Sequence, residues 1–200
     1  MINYIDLTRV VDEHTPVYPG DNPLEITKTG DLDHDGFLMH EIKMGMHVGT
    51  HMDAPAHFIA RGKEIAGLGV EKFFGTGVIV ELGEEVPMNA LERAQIALIR
   101  TGMSEMWGTD KYFKEYPELS EKLVSRLIAA KVQMICVDMP SVDYAPHTVH
   151  KKLLAEEILI VENVCNLEKL PRHQEFKICA LPLNLSTEAS PCRVVAEISY

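Results

Sequence analysis

The sequence predicts an α/β or α+β fold built on a mixed sheet, which is either open or curled into a barrel. Segments with strand character outnumber segments with helix character, and the two kinds are interspersed along the chain. The chain has 200 residues, of which 46% are hydrophobic, and this is enough for the core of one ordinary domain. We therefore expect a single domain that spans residues 1–200.

The first part of the chain is predicted to be mostly strand. Residues 12–23 are expected to form a loop, because Pro16 and Pro19 are close together and neither fits the interior of a helix. Residues 69–74 are expected to form a short helix or turn. Alternating and β-branched residues predict strands at residues 2–8, 24–29, 37–46 and 77–82.

The second part combines helices with strands. The clearest helix is predicted at residues 117–130, where Leu119, Leu123 and Leu127 recur at helical spacing. Shorter helices are predicted at residues 89–95, with Asn89 as the N-cap, and at residues 148–155. Strands are predicted at residues 96–101, 132–137, 159–161, 176–181 and 194–198.

Charge and composition exclude several classes of partner. The chain carries 19 Lys and Arg against 30 Asp and Glu, and its formal net charge of −11 repels nucleic acid. No apolar run approaches the roughly 20 residues of a membrane span, and no secretory signal is visible. We expect a cytoplasmic protein that acts on a small molecule and binds neither nucleic acid nor membrane. The cysteines form no Cys-x-x-Cys pair and are expected to be buried free thiols in a reducing compartment: Cys136, Cys165, Cys179 and Cys192.

Histidines are concentrated in one short segment, in which His47, His51 and His57 accompany Asp53. Histidine and carboxylate are the usual ligands of Zn, Mn, Fe or Co where no thiolate takes part. In a straight strand His47 and His51 would lie about 13 Å apart, too far for one ion. We therefore expect a tight bend at residues 49–50, after which His51 and Asp53 share one side of an extended segment.

Further ligand candidates lie far along the chain. Two histidines and one aspartate would leave open positions for water, as catalytic metal sites do. His150 lies in a predicted helix, and Glu162 ends a predicted buried strand, where an unpaired carboxylate is costly. The remaining histidines are expected to be surface or loop residues: His14, His34, His40, His147 and His173.

The histidine segment also resembles a known family. The pattern His47-x-Gly49-Thr50-His51-x-Asp53-x-x-x-His57 is similar to the signature of the cyclase family of metal-dependent hydrolases, which includes bacterial kynurenine formamidases and isatin hydrolases. The resemblance covers most of the chain and extends over residues 17–21, 100–107, 137–143 and 150–167.

The resemblance implies a fold and a metal centre. The family fold is a single α/β domain of the swivelling β/β/α type, with a mixed, barrel-like sheet flanked by helices, generally as a homodimer or larger assembly. The implied ligands of a first ion are His47, His51, Asp53 and Glu162. Asp53 and Glu162 would bridge to a second ion, which His150 also binds. The spacing of His150 and Glu162 favours the formamidase branch, in which two zinc ions are common, over the isatin hydrolases, for which one manganese is expected.

The resemblance also implies a reaction. A metal-bound hydroxide would hydrolyse a small aryl formamide of the N-formylkynurenine type, or a related cyclic or linear amide. His57 matches the family's acid/base residue, and Tyr18 stands where formamidases typically carry Trp, in a loop that contacts the aromatic substrate. The alternatives are a cyclase or dehydratase, an isatin-type lactam hydrolase, and a non-catalytic metal-binding protein.

Overall fold

The computed structural model describes residues 1–172 and 174–199, and its central feature is a closed, seven-stranded mixed β-barrel. The strands of the described residues are β1 (Ile2–Asp6), β2 (Glu25–Gly30), β3 (Met39–Lys43), β4 (His51–Asp53), β5 (Phe74–Glu81), β6 (Ile96–Arg100), β7 (Met134–Val137), β8 (Leu159–Glu162), β9 (Phe176–Pro182) and β10 (Ala189–Ser199). The α-helices are α1 (Leu32–Asp35), α2 (Met88–Arg93), α3 (Asp110–Lys114), α4 (Glu121–Ala129) and α5 (Thr148–Ala155).

Strand pairing closes the sheet on itself. Neighbouring strands follow the order β10, β4, β8, β7, β6, β5 and β9, and β9 pairs again with β10. The pairs β5–β6, β6–β7 and β7–β8 are parallel, and the other pairs of the barrel are antiparallel. β1 pairs with β10 outside this ring, while β2 and β3 form a separate hairpin. The predicted α/β fold with a mixed, barrel-like sheet is confirmed.

The parallel strands are apolar on both faces because both faces are covered. In β6, Ile96 and Leu98 belong to the core inside the barrel. Ala97 and Ile99 alternate with them and belong to a second core between the sheet and the helices, which includes Leu127 of α4. Two buried cores therefore hold the central strands rigidly in place.

Two helices begin at residues other than the predicted ones, α4 later and α2 earlier. α4 begins at Glu121 and not at residue 117, because the Ser120 hydroxyl accepts a hydrogen bond from the Leu123 N–H at 3.3 Å and caps the helix. The predicted N-cap at Asn89 is wrong, since α2 begins one residue earlier and Asn89 lies in its first turn. Residues 70–73 form a short 3₁₀ helix, in agreement with the prediction.

Two strands begin earlier than the apolar pattern indicates. β5 starts at Phe74 because residues 74–77 pair with β9. β10 starts at Ala189 because residues 189–191 pair with β4. The short elements β4, α1 and α3 have no counterpart among the predicted helices and strands.

The cysteines are free thiols, and three of the four are buried, as predicted. Cys179 is the exception, because it lies half-buried in β9. Among the described residues, no helix combines the length and the apolar character that a membrane span requires.

Candidate metal centre and active site

A tight bend carries the first of the predicted ligands. Residues 46–50 form a turn before β4, and Gly49 adopts a left-handed φ of +66°. A Cβ at this position would also approach Val11 to 2.9 Å, so that glycine suits the bend. The turn brings His47 back to β4, where its Nδ1 lies 3.0 Å from Asp53 Oδ1. The predicted bend is confirmed.

Strand pairing brings the other candidate ligands together. His51 and Asp53 alternate with a core residue in β4 and therefore share a face, and the antiparallel register sets His51 opposite Glu162 of β8. His51 Nε2 lies 3.5 Å from Asp53 Oδ1 and 3.4 Å from Glu162 Oε2. His150 projects from α5, and its Nε2 lies 3.3 Å from Glu162 Oε1 and 3.7 Å from Asp53 Oδ2. All the ligands proposed from the sequence thus meet at one place.

Several polar atoms that face the centre of this cluster have no hydrogen-bond partner in the protein. Five buried side-chain N and O atoms of the described residues have no hydrogen-bond partner, and four of these are His51 Nε2, both Asp53 oxygens and Glu162 Oε1. The close approach of His47 to Asp53 is not aligned as a hydrogen bond. Buried carboxylates are costly unless they are paired or bind a cation, and imidazole with carboxylate suits Zn, Mn or Fe. The residues therefore fit a divalent cation.

The electrostatics of the cluster support the same conclusion. Burial opposes protonation of His47, but the carboxylates around it, chiefly that of Asp53, raise its pKa to about 9. Burial also opposes protonation of His150, yet Asp143 and Glu162 raise its pKa to about 10. Burial raises the pKa of Asp53 and Glu162, but the nearby histidines outweigh it and hold both values low. The cluster thus attracts positive charge, which a divalent ion can supply.

His57 lies at the edge of the cluster, in the 3₁₀ turn Pro55–His57 that follows β4. Its ring centroid is 4.4 Å from that of His47 and 6.0 Å from that of His150. Burial holds the pKa of His57 below its usual value of 6.5, so that the ring is neutral at pH 7. A ring nitrogen of His47, a carboxylate oxygen of Asp53 and a ring nitrogen of His57 all lie within 4.8 Å of one another. This position suits an acid/base group and also a ligand.

A cavity of about 240 Å³ opens over the cluster. The Tyr18 hydroxyl lies 3.1 Å from the Tyr116 hydroxyl, and the Tyr18 ring meets Phe113 edge-on, with centroids 5.8 Å apart. The cavity volume matches a compound smaller than a drug-sized ligand. The aromatic side chains in its wall are Tyr18, Phe58, Trp107 and Phe113.

Three further residues contact the centre and are absent from the predicted site. Asp143 Oδ1 lies 2.6 Å from His150 Nδ1, and Glu188 Oε1 lies 3.5 Å from His47 Nε2. Asn163 donates a hydrogen bond at 2.9 Å to a backbone carbonyl of the bend. Asn163 directly follows a proposed ligand, and Asp143 ends a segment that resembles the family, whereas Glu188 carries no signal in the sequence.

His147 lies in the loop before α5, in agreement with its prediction as a surface or loop residue, but it also lines the cavity. Its ring lies in the cavity wall, its side chain is only 35% exposed, and its Nδ1 lies 3.3 Å from Asp143 Oδ1. The sequence could not reveal this, because the turn before α5 sets the direction of the ring. His173 lies outside the described residues. The remaining histidines are exposed, as predicted: His14, His34 and His40.

Comparison with known proteins places the chain in a family. A family model described as "Putative cyclase" matches residues 5–144. The chain belongs to the cyclase family. An uncharacterised protein from Methanocaldococcus jannaschii is 33% identical over 193 residues, which cover 96% of this chain and 97% of that protein. The kynurenine formamidase of Geobacillus thermodenitrificans is 30% identical over 205 residues, which cover 95% of each chain.

Solved structures share the barrel of this cyclase-family chain. Isatin hydrolase A from Labrenzia aggregata aligns with a TM-score of 0.85 and 23% identity, covering 100% of this chain and 94% of that one. A structure described as a potential metal-dependent hydrolase with cyclase activity aligns with a TM-score of 0.79 and 21% identity over the whole of both chains. At these identities the likeness establishes the fold.

Proposed function

We propose that this cyclase-family protein is a metal-dependent hydrolase that cleaves the carbon–nitrogen bond of a small amide, such as an aryl formamide or a related cyclic amide. The observation that carries the proposal is the convergence of buried, unpartnered atoms from His51, Asp53 and Glu162. His51 and Glu162 line a cavity with an aromatic wall, and Asp53 is fully buried beside them. The kynurenine formamidases, at 28% and 30% identity over nearly the whole chain, support amide hydrolysis.

We assign the ligands to two ions because of how the carboxylates are oriented. Asp53 presents one oxygen to His51 and the other to His150, at 3.5 and 3.7 Å. Glu162 does the same, at 3.4 and 3.3 Å. His47, His51, Asp53 and Glu162 would therefore hold a first ion, and a second ion would be held by His150 together with the same two carboxylates. We propose zinc for both ions, with manganese as the alternative.

The proposed mechanism divides the work between the metal centre and the cavity. Divalent ions lower the pKa of water and polarise a carbonyl oxygen. The neutral ring of His57 accepts the proton of the attacking water and returns it to the departing nitrogen. The water oxygen joins the carbonyl carbon and the C–N bond breaks. A formamide yields formic acid and an amine, whereas a cyclic amide opens to a single amino acid. Tyr18 packs against the aromatic ring of the substrate.

Removal of metal is expected to abolish hydrolysis, because a divalent ion activates water far more strongly than the histidine rings that line the cavity do on their own. Product chromatography after chelation, and again after addition of zinc or manganese, measures the effect. The substrates are N-formyl aromatic amines, isatin-like lactams and simple esters. A fully metallated protein that is inert toward all three classes would contradict the hydrolase proposal and favour a cyclase, a dehydratase or a non-catalytic metal protein.

The two-ion assignment predicts a stoichiometry of about two divalent ions per chain. Elemental analysis of protein purified without chelators, combined with amino-acid quantification, measures the ratio. A saturating value near one would remove His150 from the ligand set. It would also favour a site with a single ion, as expected for the isatin hydrolases.

A further inference from the structure

Asp143 lies behind His150, on the side of the imidazole ring that faces away from the cluster. Asp143 Oδ1 is 2.6 Å from His150 Nδ1, whereas Nε2 of the same ring lies 3.3 Å from Glu162 Oε1. We propose that Asp143 is a positioning residue, which holds a proton on Nδ1 of His150 and thereby presents the Nε2 lone pair to the cation. This inference rests on the proposed function, because it requires that His150 bind an ion.

The surroundings of Asp143 fix the direction of its carboxylate. The residue is only 2% exposed, and its second oxygen accepts a hydrogen bond from the Val149 N–H at 2.5 Å, in the first turn of α5. Its backbone carbonyl accepts hydrogen bonds from the Ser141 hydroxyl at 2.9 Å and from the Tyr116 hydroxyl at 3.4 Å. Rotation of the carboxylate would therefore break a buried hydrogen bond.

The chemistry of the two groups allows one arrangement of the proton. An ionised carboxylate accepts hydrogen bonds but cannot donate them, so that the 2.6 Å contact requires a proton on His150 Nδ1. A metal ion that binds His150 must displace one ring proton, and because Asp143 retains the proton on Nδ1, the lone pair that the ion needs is the one on Nε2. His147 Nδ1 approaches the same oxygen at 3.3 Å, a longer contact than that of His150. Asp143 thus selects the tautomer of His150 that can bind metal.

Asp143→Asn tests this selection because asparagine keeps the shape of the side chain and replaces one oxygen by an NH₂ group. If that group faces His150, Nδ1 must accept a hydrogen bond and the proton moves to Nε2, where it blocks the ion. If the NH₂ group faces Val149 instead, it meets the Val149 N–H, and two buried hydrogen-bond donors are left without an acceptor. We expect zinc to bind about 10- to 100-fold more weakly, the usual effect of losing such a supporting contact.

Asp138→Asn is the matched control, because Asp138 is an equally buried aspartate, with 1% exposure, that contacts no proposed ligand. Its carboxylate accepts hydrogen bonds from the backbone N–H groups of Thr101 and Gly102. Calorimetric titration of the metal-free proteins with zinc is expected to give the wild-type affinity for this variant. Thermal unfolding without metal checks that both variants are folded. An equal loss of affinity in both variants would overturn the positioning role.

A spectroscopic measurement keeps the test independent of the variants. Nitrogen-15 NMR of the zinc-saturated wild-type protein should show the proton of His150 on Nδ1 and zinc on Nε2. Zinc on Nδ1 would overturn the proposal, as would wild-type affinity in Asp143→Asn. A wild-type protein that binds no zinc or manganese at all would instead contradict the proposed function, so that the two failures are distinguishable.

Discussion

Asp53→Ala is expected to weaken zinc binding by about 10²- to 10³-fold and to abolish hydrolysis, a larger loss than that caused by His150→Ala. Asp53 is fully buried, and its two oxygens face different histidines, His51 and His150. Its loss removes negative charge from both proposed ions, whereas His150 serves only one of them. Removal of one partner from a buried charge pair costs about 3–5 kcal/mol, and each 1.4 kcal/mol is about a factor of ten in affinity.

Calorimetric titration with zinc, performed on both variants, measures the order of the two effects. Asp53→Asn retains the volume of the side chain and separates the loss of charge from the loss of packing. Circular dichroism of the metal-free proteins shows whether each variant is folded. If His150→Ala weakens zinc binding more than Asp53→Ala does, Asp53 is not a bridging ligand.

His57→Asn is expected to retain metal and to lose turnover by about 10²- to 10⁴-fold, the usual contribution of a positioned proton-transfer group. His57 is held at the edge of the cluster by the turn that begins at Pro55. Burial lowers the pKa of its ring, which therefore stays neutral and able to accept a proton at pH 7. Asparagine keeps a polar group at this position but cannot take up the proton.

Metal content and turnover must be measured on the same preparation of the His57 variant. His40→Asn is the control for this type of substitution, because His40 is exposed in the hairpin strand β3. Loss of metal would make His57 a ligand, a role that its closeness to His47 and Asp53 also permits. Full turnover in a metal-replete variant would exclude the acid/base role.

The local part of the metal centre follows from the sequence alone. His47, His51 and Asp53 lie in one bend and one short strand, so that the freedom of Gly49 and the two-residue period of a strand decide where they point. The contribution of Glu162 does not follow in this way. Its position opposite His51 depends on the register of β4 and β8, which barrel closure sets and which local patterns leave open. The sequence pattern makes Glu162 and His150 candidates, because Glu162 ends an apolar run and His150 lies in a predicted helix, but only the resemblance to the family assigns them to this centre.

Several elements lie beyond prediction for identifiable physical reasons. β4 has only three residues, all buried, and is too short to show an alternating pattern. The first part of β10 contains Pro191 and is a strand only because it pairs with β4. Asp143 carries no local sign that its side chain lies behind His150, since that contact depends on how the chain turns into α5. Each of these features requires the tertiary structure.

The pairing of His51 with Glu162 joins two strands that are far apart in the chain and meet only when the barrel closes. An unfolded chain therefore lacks the assembled site, and an ion that binds here binds the folded state. Such an ion adds about 2.7 kcal/mol to the free energy of unfolding when its free concentration is about a hundred times its dissociation constant. Binding of such an ion would couple the stability of the folded protein to the supply of free metal. Metal-starved protein would be lost through unfolding and proteolysis as well as through inactivity.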